Sequence, residues 1–294
     1  MTPDAVTRRD RRLLRRALVI NFASLLGKGF WPLLIWLVPG WHGAPALGRF
    51  MLVYAAVEVL QALCSTGFVD GLYRQVARLP EEPLGDDDYA SLRLALGAVL
   101  ALGAAATFAA WVGGDLLVRW LWHRPDLEPA LQTMAAAIPL AGATAVLVAA
   151  GTAMMRNEGE ALVRSVLVPG LTLALAWRWR GDDDGAQALA RSYLLAQAAG
   201  LGAALLWFSR LGALRRLWPG ARHGRGLIDA RAQLRFGLLQ GLNVMMWVGV
   251  YSVDTLLLGA FVRDTQIALY RAGSELARTL QYFRTQFSAA FAPL

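Results

Sequence analysis

The chain alternates long apolar runs with short polar segments, and eight of the runs are long enough to be helices that cross a bilayer. A helix needs about 20 apolar residues to span the hydrocarbon core. The pattern therefore predicts an all-α polytopic membrane protein with about eight transmembrane helices. Their expected limits are roughly 17–38, 47–69, 91–112, 130–153, 161–178, 187–208, 236–261 and 265–292.

The predicted helices group into an N-terminal six-helix lobe at residues 1–208 and the first two helices of a second, incomplete lobe at 236–294. A basic cytoplasmic linker would join them at 209–235. We leave two interpretations of the linker open: an amphipathic segment lying on the anionic inner surface, or a plain positively charged connection.

Four of the predicted spans, the first two and the last two, carry a polar stripe. Side chains spaced by three or four residues share one face of a helix. The stripe residues are Asn21, Ser24, Lys28 and Trp31; Tyr54, Glu58, Gln61 and Ser65; Gln240, Asn243, Trp247 and Asp254; and Arg271, Glu275, Arg278, Gln281, Tyr282 and Thr285. Because a polar face is unstable against lipid, we expect these faces to line a cavity. Spans three to six, rich in Ala, Leu, Gly and Val, show no comparable stripe.

Several stripe charges lie deep in the membrane. Lys28 and Glu58 are each eleven residues from the start of their span, which is about 16 Å at 1.5 Å per residue. That depth is the midplane of a core about 30 Å thick, and Glu275 reaches it from span eight. Ionisable groups at this depth are functional candidates unless they form structural ion pairs. For Lys28–Glu58 and Arg271–Glu275 both interpretations stay open.

Composition and charge support a membrane protein with a defined orientation. Hydrophobic residues make up 56% of the chain and charged residues 17%, against about a quarter charged in soluble domains. Lys28 is the single lysine, and the arginines lie mostly between the spans, so nucleic-acid binding is not expected. If the N-terminus is cytoplasmic, eighteen arginines lie on the inner side and seven on the outer side, as the positive-inside rule requires. The arginine-rich N-terminal arm then precedes an uncleaved signal anchor.

Two loops contain a Gly-Asp-Asp-Asp run, at Gly85–Asp88 and Gly181–Asp184. Carboxylate clusters can bind divalent metals, but each run directly precedes an apolar helix. Helix capping and interaction with the positive helix end is therefore the favoured interpretation. No metal or cofactor is expected, and the lone Cys64 can form no intrachain disulfide.

The segments entering spans two and eight suggest an internal repeat. Aligning Phe50 with Tyr270 places Glu58 opposite Arg278, at an offset of 220 residues. Parallel repeats that hold substrate between two halves are one architecture of transporters. The second copy contains only two spans before Leu294, so we expect the chain to be a fragment of a longer protein.

Two regions carry a family resemblance: residues 47–50 (LGRF) with 67–78 (GFVDGLYRQVAR), and residues 254–259 (DTLLLG) with 268–272 (ALYRA). They resemble the polysaccharide-biosynthesis, or O-antigen flippase-like, branch of the MOP exporter superfamily. The resemblance implies two lobes around a central cavity and a non-enzymatic function. It implies movement of polyprenyl-pyrophosphate-linked oligosaccharide across the bacterial inner membrane by alternating access, for lipopolysaccharide or other cell-surface polysaccharide. Expected partners are this lipid-linked substrate, membrane lipids and other polysaccharide-assembly proteins.

Within this hypothesis the stripe residues receive roles. Lys28, Arg271 and Arg278 would attract a pyrophosphate, since guanidinium groups offer forked hydrogen bonds. Glu58, Asp254 and Glu275 would balance that charge or carry a coupling ion. The other cavity candidates are Asn21, Gln61 and Asn243, together with the aromatic residues Trp31, Tyr54, Trp247 and Tyr282, although packing is the favoured role for Trp31 and Trp247.

The sequence leaves three alternatives to a flippase, and it supports them to different degrees. A membrane glycosyltransferase or ligase is disfavoured because the sequence has no nucleophile arrangement or large catalytic loop. A cation-coupled drug exporter of the same superfamily is disfavoured by the cavity arginines, which would repel a cationic drug. A non-transporting scaffold fragment is the third alternative.

Overall fold

The computed structural model describes residues 22–24, 26–27, 29–76, 85–154, 156, 158–182, 184–212 and 230–291, without the side chains of residues 76, 251 and 278–291. Of this part of the chain, 92% is helical and none is strand, which confirms the all-α prediction. The α-helices are α1 (Phe30–His42), α2 (Ala44–Gln61), α3 (Gly67–Val76), α4 (Asp86–Leu116), α5 (Glu128–Ala135), α6 (Ala137–Ala153), α7 (Val168–Arg178), α8 (Gly185–Arg210), α9 (Ala230–Phe261) and α10 (Asp264–Phe291).

Five continuous helical segments are long and apolar enough to cross a membrane, and they match predicted spans two to six. These segments are Ala44–Gln75, Asp86–Leu121, Pro125–Ala153, Glu160–Arg178 and Gly185–Arg210. Predicted span seven is bent by 53° between Ala230–Val250 and Ser252–Phe261, and counting this pair as one span gives six. Helix α10 occupies the region predicted as span eight. Parts of predicted span one and of the basic segment 209–235 lie outside the described residues.

Segments of π-helical geometry interrupt several of the spans. Ala62–Thr66 joins α2 to α3, Leu117–Leu121 follows α4, and Glu160–Leu167 precedes α7. A π turn contains more residues than an α turn and often occurs at functional sites. Two of these segments, Ala62–Thr66 and Glu160–Leu167, contribute to the cavity described below.

Glycines allow the helices of the second predicted lobe to approach the first very closely. A Cβ atom built on Gly67 would lie 1.9 Å from the Gly237 carbonyl oxygen and 2.3 Å from the Gly241 nitrogen. Gly237 and Gly241 are four residues apart on α9, the small-residue spacing that lets membrane helices touch through their backbones. Near the start of α2, a Cβ on Gly48 would lie 1.9 Å from the carbonyl oxygen of Asp264. Side chains at these positions would force the helices apart.

The Gly-Asp-Asp-Asp runs cap helices, as predicted. The Gly85 backbone N–H donates to the Asp88 carboxylate at 2.7 Å, and Asp184 accepts from the backbone N–H of Gln187 at 3.2 Å. Within the described parts of the chain, no group of three or more His, Cys, Asp or Glu side chains is arranged to hold a metal ion.

Candidate functional site

A cavity of about 450 Å³ lies among α1, α2, α6, α7 and α8, and Val248 of α9 and Glu275 of α10 complete its wall. All four residues of the second predicted stripe line it: Tyr54, Glu58, Gln61 and Ser65. They face the cavity because a charged or amide side chain is costly against lipid, whereas a polar cavity can hydrate it. Glu58 also accepts a hydrogen bond from Ser252 on α9 at 3.2 Å.

One wall of the cavity is aromatic. The rings of Trp31 and Tyr54 meet edge to face with centroids 5.0 Å apart, and those of Tyr54 and Tyr193 do the same at 5.7 Å. The Tyr193 hydroxyl donates to the Gln61 side-chain oxygen at 3.4 Å. The wall therefore combines apolar ring faces with hydroxyl and amide groups, a combination that suits an amphipathic ligand such as a sugar.

Arg271 and Glu275 lie one turn apart on α10 and form an ion pair with an N–O distance of 3.8 Å. The Arg271 side chain is 1% exposed and the Glu275 side chain 10% exposed. Arg271 is seven residues into α10, about 10 Å along the helix. Its Nε and Nη1 atoms have no hydrogen-bond partner among the described residues. A buried guanidinium with unused donors is energetically costly, and an anion could satisfy those donors.

The structure does not bring every predicted residue to the cavity. Asn21 and Lys28 lie outside the described residues, as do the side chains of Arg278 and Tyr282. Asn243 is exposed and Trp247 is 62% exposed, and neither lines the cavity.

Asp254 is half-buried near the end of α9, away from the cavity lining. Its carboxylate accepts hydrogen bonds from the Tyr270 hydroxyl and, at 2.6 Å, from the Thr255 backbone N–H. The bond from Tyr270 connects α9 to α10. The environment of Asp254 thus differs from that of Glu58 and Glu275, which both line the cavity.

Sequence reasoning missed the contribution of the middle helices. Further polar lining residues are Thr144, Arg164, Ser165, Thr172, Tyr193 and Gln197. Tyr193 and Gln197 are one turn apart on α8. This spacing puts two polar side chains on one face of an apolar helix, and that pattern could have predicted their place in the cavity wall. The Thr144 and Thr172 hydroxyls each donate at 2.8 Å to a carbonyl four residues earlier. Such bonding satisfies the hydroxyl within its own helix, so threonine is common in apolar helices. The presence of Thr144 and Thr172 in the sequence therefore does not by itself indicate a cavity.

A charged cluster, which we name the Arg124 cluster, joins the turn between α9 and α10 to the first lobe. It consists of Arg49, Arg124, Asp126 and Asp264. Arg124 donates to the Asp264 carboxylate and to the Val262 carbonyl oxygen, and Arg49 donates to Asp126 at 3.3 Å. Burial raises the pKa of the Asp264 carboxyl, and the positive charges of Arg124 and Arg49 oppose the rise.

Replacing Arg124 by Gln should destabilise the protein by about 1–3 kcal/mol, because a partly buried Asp264 carboxylate loses its main donor. The single cysteine, Cys64, is buried, so labelling by a thiol-reactive dye during heating in detergent reports unfolding. Arg119→Gln is the matched control, since the Arg119–Asp115 pair is 60% and 48% exposed and such pairs contribute little. Equal melting temperatures for the two variants would contradict the assigned role.

The effect of Arg124→Gln should also depend on pH. Because the folded-state pKa of Asp264 is raised, ionisation costs the folded state more than the unfolded chain, and stability is lost as pH rises through that pKa. Without Arg124 this loss is larger. The difference in melting temperature between Arg124→Gln and the parent protein should therefore shrink as the pH falls below the pKa of Asp264.

A family model described as "Polysaccharide biosynthesis protein" matches residues 43–294. This match confirms the resemblance inferred from residues 47–78 and 254–272. No curated protein and no solved structure matches the chain.

Proposed function

Because the chain belongs to the polysaccharide biosynthesis protein family, we propose that it is a flippase for polyprenyl-pyrophosphate-linked oligosaccharide, working by alternating access in the bacterial inner membrane. Members of this family are typically transporters or flippases rather than enzymes. The observation that carries the proposal is Arg271, a fully buried guanidinium one turn from Glu275 of the cavity wall. Its Nε and Nη1 atoms have no hydrogen-bond partner among the residues that the structure describes.

The pyrophosphate would bind to Arg271. A guanidinium donates two parallel hydrogen bonds to phosphate oxygens, and such charge-assisted bonds are about twice as strong as neutral ones. Glu275 lines the cavity and is the counter-charge of Arg271 in this conformation. The incoming phosphate would replace Glu275 as the partner of the guanidinium. Lys28 and Arg278 are proposed as additional positive groups.

The first sugars would occupy the cavity next to this anion site. Its volume of about 450 Å³ lies within the usual range of about 300–1,000 Å³ for small-molecule sites. Trp31, Tyr54 and Tyr193 offer ring faces and edges, and the amides of Gln61 and Gln197 offer hydrogen bonds to sugar hydroxyls. The polyprenyl chain would stay in the bilayer while the polar headgroup crosses.

Glu58 and Glu275 are the proposed ion-coupling carboxylates of the cavity, and Asp254 is a further candidate near the end of α9. Glu58 connects α2 to α9 through Ser252, so its protonation state can influence how the two lobes meet. In the proposed orientation the N-terminus is cytoplasmic, which places the Arg124 cluster at the outer face.

The proposal can be tested with proteoliposomes that contain a fluorescent polyprenyl-pyrophosphate oligosaccharide. Thr66→Trp and Val69→Trp would each fill the cavity, because both residues line it and are half-buried. We expect at least a tenfold loss of flipping in each variant. Ala104→Trp, on an exposed face of α4, is the matched control and should flip normally.

Two results would refute a flippase for an anionic glycolipid. One is flipping that persists in both cavity variants at the rate of the control. The other is transport of a cationic dye with no movement of the glycolipid, which would indicate a drug exporter. Normal folding of each variant is checked by the melting temperature reported by Cys64.

A further inference from the structure

An open groove of about 1,320 Å³ lies between α4 and α9, outside the cavity. We name it the α4–α9 groove. Its floor is Phe68, and its apolar sides include Ala98 and Ala101 of α4 and Leu234, Leu238 and Leu239 of α9. Phe68 is buried, and the next residue, Val69, lines the cavity on the other side. The groove and the cavity are therefore separate sites.

Arginines gather at one end of this groove. Arg231 and Arg235 line it, are exposed and lie one turn apart on α9. Neither forms an ion pair with any residue that the structure describes. A third arginine, Arg74 of α3, stacks its guanidinium on Phe236, which also lines the groove, at 5.4 Å from the ring centroid. Among the described residues, no carboxylate pairs with Arg231 or Arg235 at this end of the apolar groove.

The dimensions of the groove fit a lipid standing at a membrane surface. From Arg231 to Leu239 the groove follows eight residues of α9, which is about 12 Å. Arg231 lies in the first turn of α9, whose two parts, Ala230–Val250 and Ser252–Phe261, together are long and apolar enough to form one bent span. Arginine near a membrane surface attracts anionic headgroups, and its forked donors match phosphate oxygens. Leu234, Leu238 and Leu239 are 39–55% exposed along the same groove.

We propose that the α4–α9 groove binds one anionic phospholipid. Its phosphate lies between Arg231 and Arg235, and one acyl chain lies along the leucines of α9 over Phe68. Such a lipid contacts α4 of the first lobe and α9 of the second at once. It holds the two helices together. The site is distinct from that of the transported glycolipid and does not depend on the proposed flippase activity.

Native mass spectrometry of the purified full chain, titrated with phosphatidylglycerol or phosphatidylcholine, tests this proposal. We expect one phosphatidylglycerol to bind at least tenfold more tightly than phosphatidylcholine. Arg231→Gln/Arg235→Gln should lose this preference, and Ala101→Trp, which fills the groove, should lose the bound lipid. The matched controls are Arg156→Gln/Arg210→Gln, which removes the same charge from exposed arginines at the same end of the bundle, and Ala104→Trp on α4. Both controls should bind as the parent protein does.

Three outcomes would overturn the proposal. The first is equal binding of phosphatidylglycerol by the parent protein and Arg231→Gln/Arg235→Gln. The second is full binding by Ala101→Trp, which would mean that the acyl chain does not lie in the groove. The third is displacement of the lipid by excess inorganic phosphate, which would mark a site for free anions. None of these measurements involves transport. A result that overturns the lipid-binding proposal therefore does not affect the flippase proposal.

Discussion

Replacing Arg271 by Ala is expected to abolish export of the lipid-linked glycan while the protein remains inserted in the membrane. The buried guanidinium would otherwise give the pyrophosphate two charge-assisted hydrogen bonds, each contributing about 1.5–3 kcal/mol. Losing about 3 kcal/mol corresponds to roughly a hundredfold weaker binding. Arg278→Ala should also lower export of the glycan if Arg278 faces the substrate. The measurement is surface polysaccharide in cells that depend on this protein.

A second variant separates substrate binding from structural damage. Arg271→Ala alone leaves Glu275 buried without its counter-charge, which by itself could destabilise the helix pair. Arg271→Met/Glu275→Gln removes both charges together. We expect this double variant to recover the melting temperature but not the export. Arg263→Ala, at an exposed position near the start of α10, is the control and should export normally. Recovery of export in the double variant, or undiminished polysaccharide in Arg271→Ala, would refute the role of Arg271.

Replacing Gly67 by Ala is expected to disrupt the crossing of α3 and α9. The new Cβ would lie 1.9 Å from the Gly237 carbonyl oxygen, and backbone cannot move aside as a flexible side chain can. We expect a cost of about 3 kcal/mol, the upper end of the usual range for overpacking, or more. The measurements are the yield of monodisperse protein in detergent and the melting temperature reported by Cys64.

Gly71, one turn further along α3, provides the control for Gly67. A Cβ on Gly71 would lie 3.4 Å from the Phe236 ring, an ordinary contact. Gly71→Ala should therefore be tolerated although it faces the same partner helix. If Gly67→Ala and Gly71→Ala had the same yield and stability, the close crossing of the two helices would be wrong.

The sequence predicted the part of the site that follows regular helical spacing. Tyr54, Glu58 and Gln61 line the cavity because they share one face of α2, where the 3.6-residue repeat holds. Ser65 lines it from the adjoining π-helical segment. The depth of Glu275 in the membrane stays a prediction, since it depends only on the rise of a helix and the expected start of the span. Five of the predicted spans were recovered because their apolar runs have the length that a bilayer requires.

The remaining features depend on departures from regular geometry. Helix α9 bends by 53° between Val250 and Ser252, so residues that share a face on a straight helix do not share one here. The stripe from Gln240 to Trp247 therefore does not continue in line to Asp254 beyond the bend. Within the straight part before the bend, Val248 rather than Trp247 lines the cavity. Tyr193 and Gln197 line the cavity because of the way α8 packs on α2. Their spacing of one turn shows that they share a face of α8, but it does not show which helix that face contacts.

The π-helical segments in the cavity wall give it a second way to change shape. Ser65 and Thr66 lie in one of them, and Arg164 and Ser165 in another. Returning a π turn to α geometry advances the following chain by one residue, a rotation of about 100° and a rise of 1.5 Å. Such a register shift exchanges the side chains that face the cavity without unfolding the helix. If the protein moves a glycan as proposed, such a shift would present different hydrogen-bonding groups to successive parts of the glycan, in addition to any rocking of whole lobes.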